Sequence, residues 1–357
     1  MHRRSRIATT MVVVAVALTA GGVPAADELR RFTRTEVHMA TGFTLVAYAP
    51  DAAVADTAFD AAFARIAALD ARLNDYNPDS ELSRLSARAP TAEAVPVSED
   101  VWAVLVRADS FARLTDGAFD ATVGPLTRLW RQMRVRRRLA APEVVAAAVA
   151  AMGHRHMRLD EASRGVALLQ PGMRLDLGGI GQGFAADEAL AVLRSHGLTS
   201  ALVDASGDIA CGLPPPGVPA WRIGIASSKG EEGVARHLHV SSCGVSTSGD
   251  AFQSVEIDGV RYSHIVDPRT GLGLTRQASA TVIARDCTTA DALATALCVL
   301  PPDHGLDTLA ARAGVDARVA SVANGVVVVR QTPGFAAAGE PASAAGGAGV
   351  IASGNQP

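Results

Sequence analysis

Cysteine is scarce in this 357-residue chain: there are four, Cys211, Cys243, Cys287 and Cys298, with no C-x-x-C spacing and no histidine at zinc-finger distance. That excludes a structural zinc site of the usual kind. A disulfide is permitted but not required, since each cysteine has apolar neighbours and reads equally well as a small buried hydrophobe. Charge of one sign is lacking too. With 33 Lys and Arg against 36 Asp and Glu the formal net charge is −3, and no basic block interleaved with aromatics stands out beyond the short Arg131 to Arg138 cluster. No nucleic acid is therefore expected as a partner, and the cluster reads as solvated surface, with an anion- or partner-facing loop as the alternative.

Other signatures are also missing. The pattern G-x-G-x-x-G is broken in Leu177-Gly-Gly-Ile-Gly-Gln-Gly183, because Phe184 stands where the third glycine is needed. This disfavours a Rossmann-type oxidoreductase, although Asp204 lies at a tempting distance downstream. Ser246 and Ser248 lack the G-x-S-x-G frame of a nucleophile elbow, which sets acyl-transfer hydrolysis aside. No repeat of solenoid period occurs. The apolar run Ile7 to Ala20 is too short to span a bilayer.

That run follows the basic Met1 to Arg6 and precedes small residues at Val23, Ala25 and Ala26, so residues 1–26 read as an export signal peptide. Arg3-Arg4 leaves the twin-arginine route open, and no cysteine follows the apolar core to carry a lipid. The expectation is an exported, periplasmic protein, soluble after cleavage. At the other end, residues 336–357 are almost entirely Ala, Gly, Ser and Pro, and a disordered tail is expected because such a segment buries too little to offset ordering entropy.

Between these ends, residues 34–335 are long enough for one large α+β unit or two packed subdomains. Arg34 to Met39 and Phe43 to Tyr48 read as strands, and Val54 to Leu73 has helical apolar spacing. Ser98 is a good N-cap for a helix from Val101 to Leu114, with Gly117 just past its end, and Pro142 opens another that Gly153 closes. Strands are expected at Met157 to Leu159, Val166 to Leu169, Met173 to Leu177, Ala201 to Val203, Trp221 to Ala226, His237 to Ser241, Ser254 to Ile257 and Ala280 to Ile283. Helices are expected at Gly183 to His196, around Asp291 and from Gly305 to Ala313, with hairpins turning at Asp258-Gly259 and Asn324-Gly325.

The chemistry concentrates in three segments. Gly244-Val-Ser-Thr-Ser-Gly-Asp250 reads as an anion-cradling turn whose hydroxyls donate to a phosphate or carboxyl, with ordinary turn capping as the plainer alternative. Tyr262 to Gly271 contains His264, an imidazole able to take a proton from an attacking hydroxyl near pH 7. In Thr289 to Leu297, Asp291 and Thr295 stand four apart on one helix face, a carboxylate and hydroxyl that suit Mg²⁺, whose remaining ligands come from water and substrate phosphates. Together these suggest phosphate-ester transfer.

Five blocks in order resemble the ApbE-type FAD:protein FMN transferases: Met39 to Phe43, Tyr76 to Leu85, Thr115 to Leu126 with Trp130, Asp176 to Asp187, and Gly244 to Leu297. The resemblance implies an α+β fold of mixed, mostly antiparallel sheets with packed helices, ApbE/T-fold-like, in two intimately packed subdomains. It implies an enzyme that binds FAD as substrate, splits its pyrophosphate with Mg²⁺, and joins FMN to a Thr or Ser hydroxyl of an acceptor protein, releasing AMP. The implied acceptor is an exported or membrane-associated electron-transfer subunit. Met39, Ala118, Phe119, Asp120, Phe184 and Ile265 would line the nucleotide, the Gly181 carbonyl would join Asp291 and Thr295 on the metal, and His264 would be the base. Two positions depart from the pattern: Gly181-Gln182 where many members have Ala-Lys, and Ser86 where Asn is common. An FAD pyrophosphatase giving FMN and AMP, and a non-catalytic FAD-binding module, are the competing readings.

Overall fold

The computed structural model describes residues 29–226, 234–250, 253–323, 326–341 and 350–352. Its main sheet has eight antiparallel strands lying side by side in chain order: β1 (Arg30–His38), β2 (Thr41–Ala49), β3 (Ala201–Ala205), β4 (Asp208–Cys211), β5 (Gly244–Gly249), β6 (Ala278–Ala284), β7 (Asp316–Ala323) and β8 (Val326–Gln331). The α-helices are α1 (Ala52–Leu73), α2 (Glu81–Ser86), α3 (Glu99–Leu114), α4 (Gly124–Arg136), α5 (Pro142–Ala150), α6 (Gly181–Ser195), α7 (Cys287–Val299), α8 (Pro302–Ala313) and α9 (Pro333–Ala338).

Side-chain alternation along the strands gives the sheet two apolar faces. Phe43, Leu45 and Ala47 of β2 join the main core, where Phe59, Phe63, Ile66 and Leu69 of α1 repeat at helical spacing and α6 and α7 pack alongside. Val46 points the other way, with Ile209 and Val245, onto the strands Trp221–Ala226 and Val234–Val240. Burying one such Leu or Phe side chain contributes roughly 1.5–3 kcal/mol, so both faces hold the sheet. Helix α7 is buried at every position except Thr295, as expected of a helix enclosed on all sides. The expected α+β fold with mostly antiparallel pairing is the fold observed; among the described strands, the pairing of Val350–Ala352 with Trp221–Ala226 is parallel.

Several local expectations hold closely. Ser98 accepts from the Val101 amide at the start of α3, and Asp258 and Gly259, both at positive φ, form the two-residue turn between Ser254–Ile257 and Val260–Ser263. Asn324-Gly325 lies outside the described residues, while the flanking Ala323 and Val326 are paired as a hairpin requires.

Others are corrected. Met173 to Leu177 makes only a bridge from Arg174 to Val123, because its amides are taken elsewhere: Leu175 donates to Ser86 Oγ at 3.0 Å and Asp176 to the Ala121 carbonyl at 2.8 Å. Residues 336–357 are not all irregular, since Gly339–Pro341 and Val350–Ala352 pair with the edges of the Trp221–Ala226 and Val234–Val240 sheet. Backbone ladders recruit a segment whatever its side chains, provided an edge is open. The expected signal peptide, residues 1–26, and the rest of the tail lie outside the described residues.

Candidate active site

Helix α7 is set by its first turn. Asp286 is its N-cap, accepting from the amide and hydroxyl of Thr289 at 2.8 and 2.7 Å, and Arg107 of α3 binds the same carboxylate. Asp187 of α6 also accepts the Cys287 and Thr288 amides, at 2.9 and 2.8 Å, so two carboxylates satisfy donors that a helix start leaves open.

Two glycines then let the α6 entrance approach α7. A Cβ on Gly183 would stand 2.6 Å from the Cys287 carbonyl oxygen and 2.8 Å from the Asp291 Cβ, and one on Gly179 would stand 3.0 Å from Thr295 Oγ1. Close packing thus explains Gly179 and Gly183, whereas a Cβ on Gly181 would meet only an ordinary contact. Within this stretch the Gly183 amide donates to Asp291 Oδ2 at 3.1 Å.

Asp291 and Thr295 open onto a small polar cavity also walled by Gly178, Gln182, Ser206, Asp208, Thr247, Ser248, Gly249, Gln253, His264 and Ile265. The segment expected to be an anion-cradling turn is strand β5. Its pairing with β4 covers only Gly244 to Ser246 whereas that with β6 runs from Gly244 to Gly249, so Thr247, Ser248 and Gly249 border the cavity where β4 has stopped. Ser246 is not a free donor, because its hydroxyl donates to Asp208 Oδ1 at 2.6 Å; Ser248 Oγ lies 3.2 Å from Thr295 Oγ1.

Asp208 is the site residue that sequence reading missed. It follows the Ser206-Gly207 turn of the β3–β4 hairpin, and Asp204 on the other side of that turn accepts the Gly207 amide at 2.8 Å, which leaves Asp204 a turn-holding role. The Ser-Gly dipeptide flanked by two acids was the available signal. Burial raises the Asp208 carboxyl to about 7 against its bond from Ser246, with Asp204 adding repulsion, and raises Asp204 itself to about 6. Burial likewise raises Asp291 well above the carboxylate range, reinforced by Asp208 and Asp187 and opposed by the Gly183 amide. None of the groups shifting Asp291 is a cation.

His264 follows the strand Val260–Ser263 and is held from both sides. The Ser263 amide donates to the Leu274 carbonyl at 2.7 Å, the Leu274 amide to the Ile265 carbonyl at 2.9 Å, and Trp130 Nε1 to the Ser263 carbonyl at 3.1 Å. Gly273 is required there, since a Cβ would meet the Ser263 carbonyl oxygen at 2.3 Å. The Nδ1 of His264 lies 3.3 Å from the Gln253 carbonyl oxygen. A carbonyl only accepts, so Nδ1 carries the proton and Nε2 is left as the base. Burial holds the imidazole below the usual histidine value, helped by Arg134 and opposed by the Gln253 carbonyl and Asp250.

Of the residues singled out from sequence, His264, Ile265, Asp291 and Thr295 meet at this cavity. Met39, Gly181, Ala118, Phe119, Asp120 and Phe184 are not in its wall. Ala118, Phe119 and Phe184 belong to the main core, and Met39 packs against it while its amide donates to Asp70 Oδ2 at 2.9 Å. Asp120 accepts from the Thr122 amide and hydroxyl and the His154 amide, so its carboxylate ties loops together. Gly181 opens α6 with its amide on the Leu177 carbonyl at 2.7 Å, while its neighbours Gly178 and Gln182 reach the wall. Ser86, the second departure, is spent on the Leu175 amide.

Among the described residues no group of three or more His, Cys, Asp and Glu is arranged to hold a metal. What the cavity offers is an all-oxygen set of carboxylates and hydroxyls beside a neutral imidazole, the donor chemistry of hard cations and phosphates.

Such a site on an antiparallel α+β scaffold defines a group-transferring enzyme that handles phosphate-bearing substrates. The chain belongs to the ApbE family, whose sequence model matches residues 39–319. A protein of Treponema pallidum named FAD:protein FMN transferase is 34% identical over 322 residues, covering 86% of this chain and 89% of that relative. Its counterpart in Vibrio cholerae is 35% identical over 240 residues, covering 66% of this chain and 71% of the relative. Among solved structures, the ApbE protein of Thermotoga maritima superposes with a TM-score of 0.77 at 28% identity, over 87% of this chain and 99% of the other. The apo flavinyl transferase ApbE of Pseudomonas stutzeri gives 0.76 at 30% identity, over 87% and 97%.

Proposed function

We propose that this flavin-transferring enzyme binds FAD at the Asp208–His264–Asp291 cavity and moves its FMN half to a Thr or Ser hydroxyl of an acceptor protein, releasing AMP. The observation that carries this reading is Asp291: a buried carboxylate facing Asp208 in a polar cavity, with His264 in the same wall. Two acids forced together without a cation fit a divalent ion, and the oxygen-only donors favour Mg²⁺. Asp291 and Thr295 would hold it, with Asp208 as a second carboxylate. When bound, Mg²⁺ neutralises charge on the diphosphate and on the departing AMP.

The chain's own groups do the rest. His264 Nε2 takes the proton of the acceptor hydroxyl as the new oxygen–phosphorus bond forms and the pyrophosphate bond breaks. The Gln253 carbonyl keeps the imidazole in the tautomer that can accept it. Ile265 offers an apolar wall beside that base. Gln182 gives the wall a neutral amide, so its contact with a phosphate would rely on hydrogen bonding.

The basic and apolar start of the chain, residues 1–26, supports export to the periplasm, and the acceptor is then an exported or membrane-associated electron-transfer protein. The test is incubation of the mature protein with FAD, Mg²⁺ and candidate exported redox subunits, followed by intact mass and in-gel flavin fluorescence. An FMN-sized mass gain on the acceptor supports transfer. Free FMN and AMP with no labelled acceptor would establish the pyrophosphatase reading instead.

A further inference from the structure

Two of the four cysteines are neighbours. Cys211 ends β4, Cys243 precedes β5, and each donates its amide to the other's carbonyl, at 2.8 and 3.2 Å. That is the hydrogen-bonded pair of an antiparallel ladder, in which the Cα atoms lie about 5.5 Å apart. Disulfides bridge Cα separations of about 4.4–6.8 Å. Both side chains join the apolar cluster on the sheet face that packs against Trp221–Ala226 and Val234–Val240. Because Asp208 and Cys211 are an odd number of residues apart, this is the face opposite the one Asp208 turns to the cavity.

We propose that Cys211 and Cys243 form a disulfide across the β4–β5 ladder, made by exchange with a protein or small-molecule disulfide. Chemistry and exposure assign the order of events. The Cys211 thiol donates to the Cys243 sulfur, which holds the Cys243 pKa below the ordinary thiol value against the effect of burial. The same bond, then burial and the neighbouring Cys243 charge, raise Cys211 well above it. Cys243 is half-buried and Cys211 is enclosed, so the more acidic thiol is also the one an oxidant can reach.

The Cys243 thiolate attacks the oxidant's disulfide, forming a mixed disulfide and expelling one thiolate. Cys211 loses its proton and attacks the Cys243 sulfur, expelling the second thiolate. The two cysteines lose two electrons and two protons in total, and the oxidant is reduced to a pair of thiols. The bond closes the segment 211–243, which carries the strands Trp221–Ala226 and Val234–Val240 that cover the sheet.

The test uses the full chain without mutation. It is exposed to oxidised glutathione or kept in dithiothreitol, then unfolded, alkylated with N-ethylmaleimide and mapped by peptide mass. The proposal expects the Cys211 and Cys243 peptides to be cross-linked in the oxidised sample, with Cys287 and Cys298 recovered as alkylated thiols. It expects Tm to fall by roughly 5–10 °C on reduction. In Cys211→Ala and Cys243→Ala variants, Tm should no longer respond to dithiothreitol. Four alkylated cysteines after oxidation, a bond to Cys287 or Cys298, a stable glutathione adduct on Cys243, or a Cys243-linked dimer would each overturn it. The mapping decides the matter even where a variant fails to fold.

Discussion

The Gly183 amide donates to Asp291 Oδ2 at 3.1 Å across an interhelical contact too close for any side chain at 183. The orientation of the acid and the absence of a side chain on its neighbour are one arrangement. Helix α6 can lie against α7 only at a residue without a Cβ, and that approach is what brings an amide within reach of the carboxylate.

Gly183→Ala is therefore expected to destabilise the fold. A helical glycine replaced by alanine ordinarily gains about 1 kcal/mol, but overpacking against the Cys287 carbonyl costs roughly 1–3 kcal/mol and should win. Gly181→Ala is the control, since its Cβ would meet Leu177 Cβ at an ordinary 3.6 Å. Urea unfolding of the two variants measures both signs; equal stability would show that the contact relaxes freely.

Asp291→Asn should abolish Mg²⁺-dependent transfer, with a fall of at least about a hundredfold, because a charged ligand is replaced by a neutral one. The apo protein should hold or gain stability, since a buried carboxylate facing Asp208 and Asp187 is lost. Adding Mg²⁺ should raise Tm in the parent protein and leave the variant unmoved. Undiminished transfer, or an unchanged Mg²⁺ response, would remove Asp291 from the site.

For His264→Ala the expected outcome is retained FAD binding with transfer reduced about 10²–10⁴-fold, the usual contribution of a positioned base. The pH profile carries a second check. Burial favours the neutral imidazole, so the acid limb of kcat/KM should fall below the ordinary histidine value of about 6.5. A rate that already declines on going below pH 7.5, or transfer that survives the substitution, would count against His264.

Asp286→Ala should cost about 1–2 kcal/mol by removing the N-cap of α7. Burial opposes ionisation of Asp286, but the bonds from Thr289 and Arg107 prevail and its pKa is lowered. The unfolded chain then binds the proton more readily than the folded one. The contribution is fully present above about pH 4 and disappears as pH falls through the lowered value. Stability curves of parent and variant should converge in acid; a gap independent of pH would show that packing alone is lost.

Local signals in the sequence were the reliable ones. The Ser98 cap, the Asp258-Gly259 turn and the spacing of Asp291 and Thr295 depend on a few adjacent residues, and each stands as expected. Gly244 to Asp250 has the composition of a turn, yet two partner strands from distant parts of the chain draw it into the sheet. Met173 to Leu177 has the composition of a strand, yet its amides are claimed by Ser86 and Ala121. Asp208 belongs to no familiar motif and gains its significance from facing Asp291, separated from it in sequence and brought to it by the packing of α7 on β4 and β5.

Because neighbouring strands of the main sheet are also successive in the chain, most of its ladders can form between segments made close together in time. The junction of β2 with β3 is the exception, with residues 50–200 and six of the helices intervening. Joining those two strands must await much of the helical block, and the long chain closure it demands should be the slowest event in acquiring the native topology.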